Sequence, residues 1–211
     1  MFLVGVILLI AAFIAWISYN IATKSKGQLQ SLEACINQIE RNPNSPNVYD
    51  KFIDVWNSST WVQSDDLFNR GYYNRILKIC EQNSSYVKVW QLLGEVIKKL
   101  NISFGIDVDG KRQRSNTFRF LADSLFKEFK NQPIRERILS LIHLLSGIGQ
   151  AETQELYNTS LKILERNSSS QEAKMLVLDL GRLHYSFLRL DKKPTIYDEQ
   201  AIQNDIIVRS K

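Results

Sequence analysis

The chain lacks most of the features that identify a secreted, β-rich or metal-binding protein. It has two cysteines, four prolines and two histidines in 211 residues. So few cysteines exclude a disulfide-stapled secreted module. No Asn-Gly or Asp-Gly pair lies between alternating apolar runs, so β-hairpin signals are lacking too. What is present is ordinary for a globular domain, with 44% hydrophobic and 23% charged residues.

Charge is lacking altogether from the first 23 residues, because all 27 basic and 22 acidic side chains lie at or after Lys24. Residues 2–22 form an apolar run of about 21 residues, which is long enough as a helix to cross a bilayer. A buried core helix and a cleaved signal peptide are the alternatives, but the run lacks the basic start and small-residue cleavage site of a signal peptide. The sequence therefore predicts an uncleaved single transmembrane anchor at 1–23.

The residues at the end of this run predict its orientation. Trp16 and Tyr19 are typical of the headgroup region, and Lys24 and Lys26 follow them. Because positive residues are retained on the cytoplasmic side, we expect a single-pass membrane protein with its N-terminus out and its globular part cytoplasmic.

Helical periodicity covers almost all of the remaining chain. Pro43, Pro46 and Pro133 stand at or just before helix starts, where a missing N–H costs nothing. Caps and breakers predict helices at about 28–41, 46–57, 66–82, 85–100, 116–130, 133–146, 151–166 and 171–190, with a short one near 198–209. The predicted class is all-α, with a helical domain at 24–190 and a C-terminal tail at 191–211 that caps the domain or docks elsewhere.

The ends of these helices repeat. Segment 77–85, LKICEQNSS, agrees with segment 161–169, LKILERNSS, at seven of nine positions. Segment 39–43, IERNP, is a third copy of the same helix end, and segment 129–133, FKNQP, is a looser fourth. Asn is typical of helix ends because it tolerates the left-handed conformation, so each copy marks where a helix ends. Common helix-end chemistry, without true repetition, is the alternative interpretation. We interpret the pattern as a repeated helix pair.

Residues 90–97, WQLLGEVI, have the form W-x2-L-G-x2-I, which resembles the first helix of a tetratricopeptide repeat. The equivalent positions elsewhere are all apolar: Tyr49, Phe52, Ile53 and Trp56, then Ile138, Leu141, Ile142 and Leu145. The resemblance covers about 28–190, although its spacings of 41, 48 and 36 residues exceed the repeat length of that family. It implies an α-solenoid of about four helix pairs after the anchor, and an irregular helical bundle is the alternative.

No residue pattern in the sequence is typical of catalysis. His143 and His184 lie on apolar helices without Cys, Asp or Glu at metal-ligand spacing, and Cys35 and Cys80 have no CxxC partner. We expect packed or groove-lining histidines and core thiols. The prediction is a protein that is not an enzyme and that takes no cofactor, metal or small-molecule substrate.

The tetratricopeptide resemblance implies a ligand surface along the first helix of each pair. The positions that face away from the packed residues form the candidate partner-binding groove: Asn47, Asp50, Asp54, Lys88, Gln91, Glu95, Lys98, Glu136, Leu139 and His143. The surface is mixed in charge, so it predicts a peptide or helix as ligand without specifying the ligand's charge.

The net charge of +5 is concentrated in one part of the chain, because residues 103–140 hold eight basic and five acidic side chains. Lys111, Arg112, Arg114 and Arg119 cluster in a predicted loop between the second and third helix pairs. Anionic lipid headgroups or an acidic partner would suit them, and a solvated loop is the alternative. The patch is too short for nucleic acid.

Together these observations predict a membrane-anchored scaffold that binds other proteins, as an assembly or stability factor for a membrane protein complex. A structural accessory subunit of a larger membrane complex is the first alternative, and a membrane-bound enzyme is the second. The expected partners are other proteins, in particular subunits of membrane complexes, and the membrane itself through residues 2–22.

Overall fold

The structure is a computed structural model that describes residues 2–60, 62, 64–101, 104, 108–145, 147–188 and 193–210, with side chains from residue 12 onward except at 64–66 and 108–109. These residues contain no strand. Their helices are α1 (Phe2–Arg41), α2 (Pro46–Ser58), α3 (Ser64–Asn69), α4 (Tyr72–Gln82), α5 (Val87–Leu100), α6 (Val108–Lys127), α7 (Gln132–Leu144), α8 (Gln150–Arg166), α9 (Gln171–Leu188) and α10 (Ile196–Arg209). The predicted all-α class is confirmed.

The predicted transmembrane helix is the main correction. Among the residues that the structure describes, no helix is both long enough and apolar enough to span a membrane. Helix α1 begins at Phe2 and continues through Lys24 and Lys26 to Arg41. The side chains of residues 2–11 lie outside the described set. The anchor prediction is wrong on this finding, and the predicted location of the globular part stays a prediction from sequence.

Helix boundaries otherwise follow the predicted ones closely, with two differences. The helix predicted at 66–82 is two helices, α3 and α4, because Gly71 adopts a left-handed conformation with φ of 69° between them. Glycine adopts this conformation readily because it has no Cβ atom. The second difference is at α6, which begins at Val108 rather than near residue 116.

The chain divides into two compact units. The first comprises residues 1–83 and 91–96, and the second comprises 84–90 and 97–211, so α5 contributes to both. In the first unit α1 packs against α2 and α4, and α3 packs against α4. Buried side chains recur at helical spacing along α1, at Leu29, Leu32, Cys35, Ile36 and Ile39. They meet the aromatic faces of α2 and α4, which include the fully buried Tyr49, Phe52, Trp56 and Tyr73.

In the second unit, the helices pack as the pair α6/α7 and the pair α8/α9, and α10 covers both α8 and α9. Ile202 of α10 is fully buried where it meets Gly181 of α9. A Cβ atom at Gly181 would lie 2.7 Å from Ile202 Cγ1 and 3.0 Å from Tyr157 Cε2, so the glycine is required by close packing. Tyr157 also donates a hydrogen bond of 2.8 Å to Asp205 of α10.

The repeated helix ends share one hydrogen bond. Asn83 Nδ2 donates to the carbonyl of Ile79 and Asn167 Nδ2 to that of Ile163, each at 2.9 Å. Both residues have negative φ values, of −123° and −136°. The two helices end at these asparagines as predicted, although neither residue adopts the left-handed conformation. In both helices the side-chain amide adds a hydrogen bond to a carbonyl of the last turn, and the Ile79 carbonyl also accepts the Asn83 backbone N–H at 3.1 Å.

The helices that follow Asn42 and Asn83 also begin alike. Tyr49 Oη donates to the Pro43 carbonyl at 2.7 Å, and Trp90 Nε1 donates to the Ser84 carbonyl at 2.8 Å. Each aromatic residue stands seven positions after its asparagine and contacts the carbonyl directly after that asparagine. In both units, a buried aromatic ring thus fixes how the chain enters the next helix.

Candidate functional site

A groove of about 400 Å³ lies between α7 and α9 in the second unit. Helix α7 contributes residues at i, i+3, i+4 and i+7 spacing, which is one helix face. Its lining from the two helices is Arg135, Glu136, Leu139, Ser140, His143, Met175, Asp179, Arg182 and Leu183. We call this the α7–α9 groove. Three of its residues, Glu136, Leu139 and His143, belong to the predicted partner-binding surface, and the structure brings them together.

Arg135, which lines the α7–α9 groove, is a buried cation. The Arg135 side chain is 3% exposed, and its Nη1 donates to the Phe129 carbonyl at 2.9 Å. Its Nε lies 3.4 Å from Asp179 Oδ2, an ion pair without a formed hydrogen bond at that nitrogen. Burial of the Asp179 carboxyl raises its pKa and outweighs the opposing effect of Arg135 and Arg182. The pair joins the α6/α7 layer to α9 and leaves the groove without a strong net charge.

The outer edge of the groove is polar and joined to α10. Arg182 forms two hydrogen bonds with Glu199, from Nε at 2.7 Å and from Nη2 at 3.2 Å. This contact raises the pKa of Arg182 and fixes its guanidinium. Glu136, Ser140 and His143 are exposed along the opposite edge, and Leu139 and Met175 lie half-buried between the edges. The surface can therefore take an apolar side chain flanked by polar backbone or side-chain groups.

The other predicted groove residues fall in both units. Asn47, Asp50 and Asp54 are exposed on α2, and Gln91 and Glu95 are half-buried on α5, all in the first unit. The carbonyl of Glu95 accepts a hydrogen bond of 2.9 Å from Trp56 Nε1, so α2 and this part of α5 are directly joined. Lys88 and Lys98, also on α5, belong to the second unit. None of these residues lines the α7–α9 groove.

The predicted basic patch lies on a helix and not in a loop, because α6 already includes Lys111, Arg112, Arg114 and Arg119. Arg114 contacts the Gly147 carbonyl and lies 3.5 Å from Glu152 of α8. Arg119 lines a second groove, between α6 and α8. The four cations therefore do not act as one uniform surface, since at least one already has an internal partner.

The histidines and thiols are placed as their helices suggested. His143 lies on the edge of the α7–α9 groove. His184 is 4% exposed, stacks on Tyr157 with ring centroids 6.0 Å apart, and has Nδ1 3.2 Å from Thr153 Oγ1. Burial lowers the pKa of His184 and raises the pKa values of the buried Cys35 and Cys80. In the described part of the chain, no three His, Cys, Asp or Glu side chains are grouped to hold a metal ion.

Sequence reasoning missed Arg135 and the whole contribution of α9 to the groove. The Leu-Gly pair at 180–181 is shifted relative to the other copies, and the repeat pattern therefore assigned no groove position to α9. The spacing of Met175, Asp179 and Arg182 at i, i+4 and i+7 is the signal that could have identified this face. Arg135 directly follows the buried Ile134, on the apolar side of α7.

Comparison with known protein families, characterised proteins and solved structures gives no match. The tetratricopeptide resemblance of residues 28–190 stays a prediction from sequence.

Proposed function

We propose that this protein is a helical scaffold that binds another protein through the α7–α9 groove. The observation that supports the proposal is the groove itself, where two exposed helix faces enclose about 400 Å³ around the half-buried Leu139 and Met175. Side chains of this kind, surrounded by polar groups, are typical of peptide and helix docking surfaces. We propose that the scaffold supports the assembly or stability of a protein complex to which the bound protein belongs.

The ligand expected for this groove is a short peptide segment with one apolar anchor. The lining carries two arginines and two carboxylates, so its charges balance and select no strongly charged ligand. Arg135 and Asp179 are already paired with each other, and Arg182 is paired with Glu199. Affinity would therefore come from burial of the anchor against Leu139 and Met175, with hydrogen bonds at the edges fixing its orientation.

Site-specific photo-crosslinking in the native host tests the proposal. A photoreactive amino acid at the exposed Ser140 should capture a defined partner, whereas the same amino acid at the exposed Lys162 of α8 should not. Leu139→Glu should reduce the Ser140 adduct at least tenfold, because it places a charge where the anchor is buried. Leu188→Glu changes an exposed leucine of α9 and is the matched control. The same products from Ser140 and Lys162, or a Ser140 adduct that survives Leu139→Glu, would contradict the proposal.

A further inference from the structure

A second groove lies between α6 and α8 and shares no residue with the α7–α9 groove. It has a volume of about 350 Å³ and is lined by Ser115, Phe118, Arg119, Ala122, Asp123, Phe126, Glu152, Glu155, Leu156 and Thr159. We call it the α6–α8 groove. Its residues recur at helical spacing on both helices, so each helix presents one continuous face to it.

The floor of the α6–α8 groove is apolar. Phe118, Ala122 and Phe126 are four residues apart along α6, which gives a strip about 12 Å long. Both phenylalanines are half-buried, so part of each ring faces the groove, and Leu156 of α8 lies among the lining residues as well. A strip of this length matches about two turns of a docked helix.

The rim of the groove is acidic. Asp123, Glu152 and Glu155 line it against one cation, Arg119. Glu152 accepts a hydrogen bond of 2.6 Å from the Gly149 N–H and faces Arg114, so its charge is already compensated. Asp123 and Glu155 are exposed, and the described residues offer neither of them a hydrogen-bond or ion-pair partner. Two carboxylates beside an apolar strip are therefore available to a cationic ligand.

The geometry points to a basic amphipathic segment of another protein as the occupant of the α6–α8 groove. Its apolar residues would cover the strip of Phe118, Ala122 and Phe126, and its Lys or Arg side chains would pair with Asp123 and Glu155. The chain as a whole carries a net charge of +5, so attraction of a basic ligand has to come from local carboxylates such as Asp123 and Glu155. This inference goes beyond the proposed function, since it concerns a different surface and a different ligand class.

The test uses the full chain and a labelled amphipathic peptide composed of leucine and lysine, with a leucine/glutamate peptide as its counterpart. Fluorescence anisotropy should show the leucine/lysine peptide binding at least tenfold more tightly, with affinity falling as salt is raised. Glu155→Lys and Asp123→Lys should each weaken binding about tenfold. Arg119→Gln should strengthen it, because it removes a like charge from the rim.

Glu81→Lys is the matched control, since it reverses an exposed carboxylate on α4, in the first unit, and should leave the affinity unchanged. Circular dichroism verifies that each variant keeps its helical content. Equal affinity for both peptides would overturn the inference, and so would equal losses in Glu155→Lys and Glu81→Lys, because either result means that no local acidic site selects the ligand.

Discussion

At the scale of single residues, the two histidines of this chain differ in environment although both lie on apolar helices. His184 is packed between Thr153 and the rings of Tyr157 and Tyr185, whereas His143 is exposed on the edge of a groove. Burial disfavours the charged imidazolium, which is why the pKa of His184 is lowered from its ordinary 6.5. The same residue type thus acts as a core group at one position and as a surface group at the other.

The lowered pKa of His184 predicts acid sensitivity. The unfolded chain takes up a proton at a higher pH than the folded chain, so the stabilisation is fully present above about pH 6.5 and is lost as pH falls towards the lower folded pKa. In urea denaturation, the free energy of unfolding should fall as pH is lowered from about 7.5 to about 5.5, the range in which histidine titrates. The slope of this free energy against pH should correspond to at most one proton taken up per molecule on unfolding.

The variant that tests this prediction is His184→Gln. It should flatten the pH dependence, because it removes the buried imidazole. An unchanged slope in His184→Gln would show that another group titrates in this range.

At the scale of elements, the packing of α10 on α9 depends on a single missing side chain. Gly181 is the place where Ile202 approaches α9, and the Arg182–Glu199 contact and the Tyr157–Asp205 hydrogen bond lie next to it. These contacts make α10 part of the core of the second unit. The sequence alone could place α10 at helical spacing but could not decide whether it caps this domain or docks elsewhere.

Gly181→Ala should therefore destabilise the protein by about 1–3 kcal/mol, because the new methyl would lie 2.7 Å from Ile202 Cγ1. Gly27→Ala on α1 is the control, since its Cβ would meet nothing within 4 Å and the change should be neutral or stabilising by up to about 1 kcal/mol. Chemical denaturation measures both.

A second substitution tests the cause of the Gly181 effect. Combining Gly181→Ala with Ile202→Ala should cost less than the sum of the two single changes, because the smaller side chain makes room for the methyl. Strict additivity would mean that the cost of Gly181→Ala arises elsewhere, for example in the backbone.

At the scale of the whole molecule, the second unit presents two grooves built from the same two helix pairs. One lies between α7 and α9 and the other between α6 and α8. In each groove an ion pair joins the two sets of helices, Arg135–Asp179 at the first groove and Arg114–Glu152 at the second. The grooves differ in charge, because the first is balanced and the second has an acidic rim.

Two grooves with separate linings should be independent in binding. Leu139→Glu should reduce the crosslink from Ser140 at least tenfold and leave the affinity for the leucine/lysine peptide within about twofold of wild type. Glu155→Lys should weaken peptide binding about tenfold and leave the Ser140 crosslink unchanged. Anisotropy and crosslinking on the same protein preparations measure both, and a loss of both activities in either variant would indicate one shared surface or a damaged fold.

Much of the helical architecture could be read from sequence. Hydrophobic period, prolines and asparagines predicted most helix boundaries within a few residues, because these signals act within one or two turns of chain. They also predicted Glu136, Leu139 and His143 on one face of α7, and all three line the α7–α9 groove. The unbroken helix predicted across Gly71 is wrong, because this glycine adopts a left-handed conformation between α3 and α4.

Only the tertiary structure decided which residues that are distant in sequence lie next to each other. The burial of Arg135 against Asp179, the approach of Ile202 to Gly181 and the acidic rim formed by Asp123 and Glu155 each join residues that no local pattern relates. The predicted anchor is wrong for a different reason, since no helix in the described part of the chain is long and apolar enough to span a membrane. Local periodicity determines which face of a helix is apolar, whereas packing of whole helices determines what that face meets.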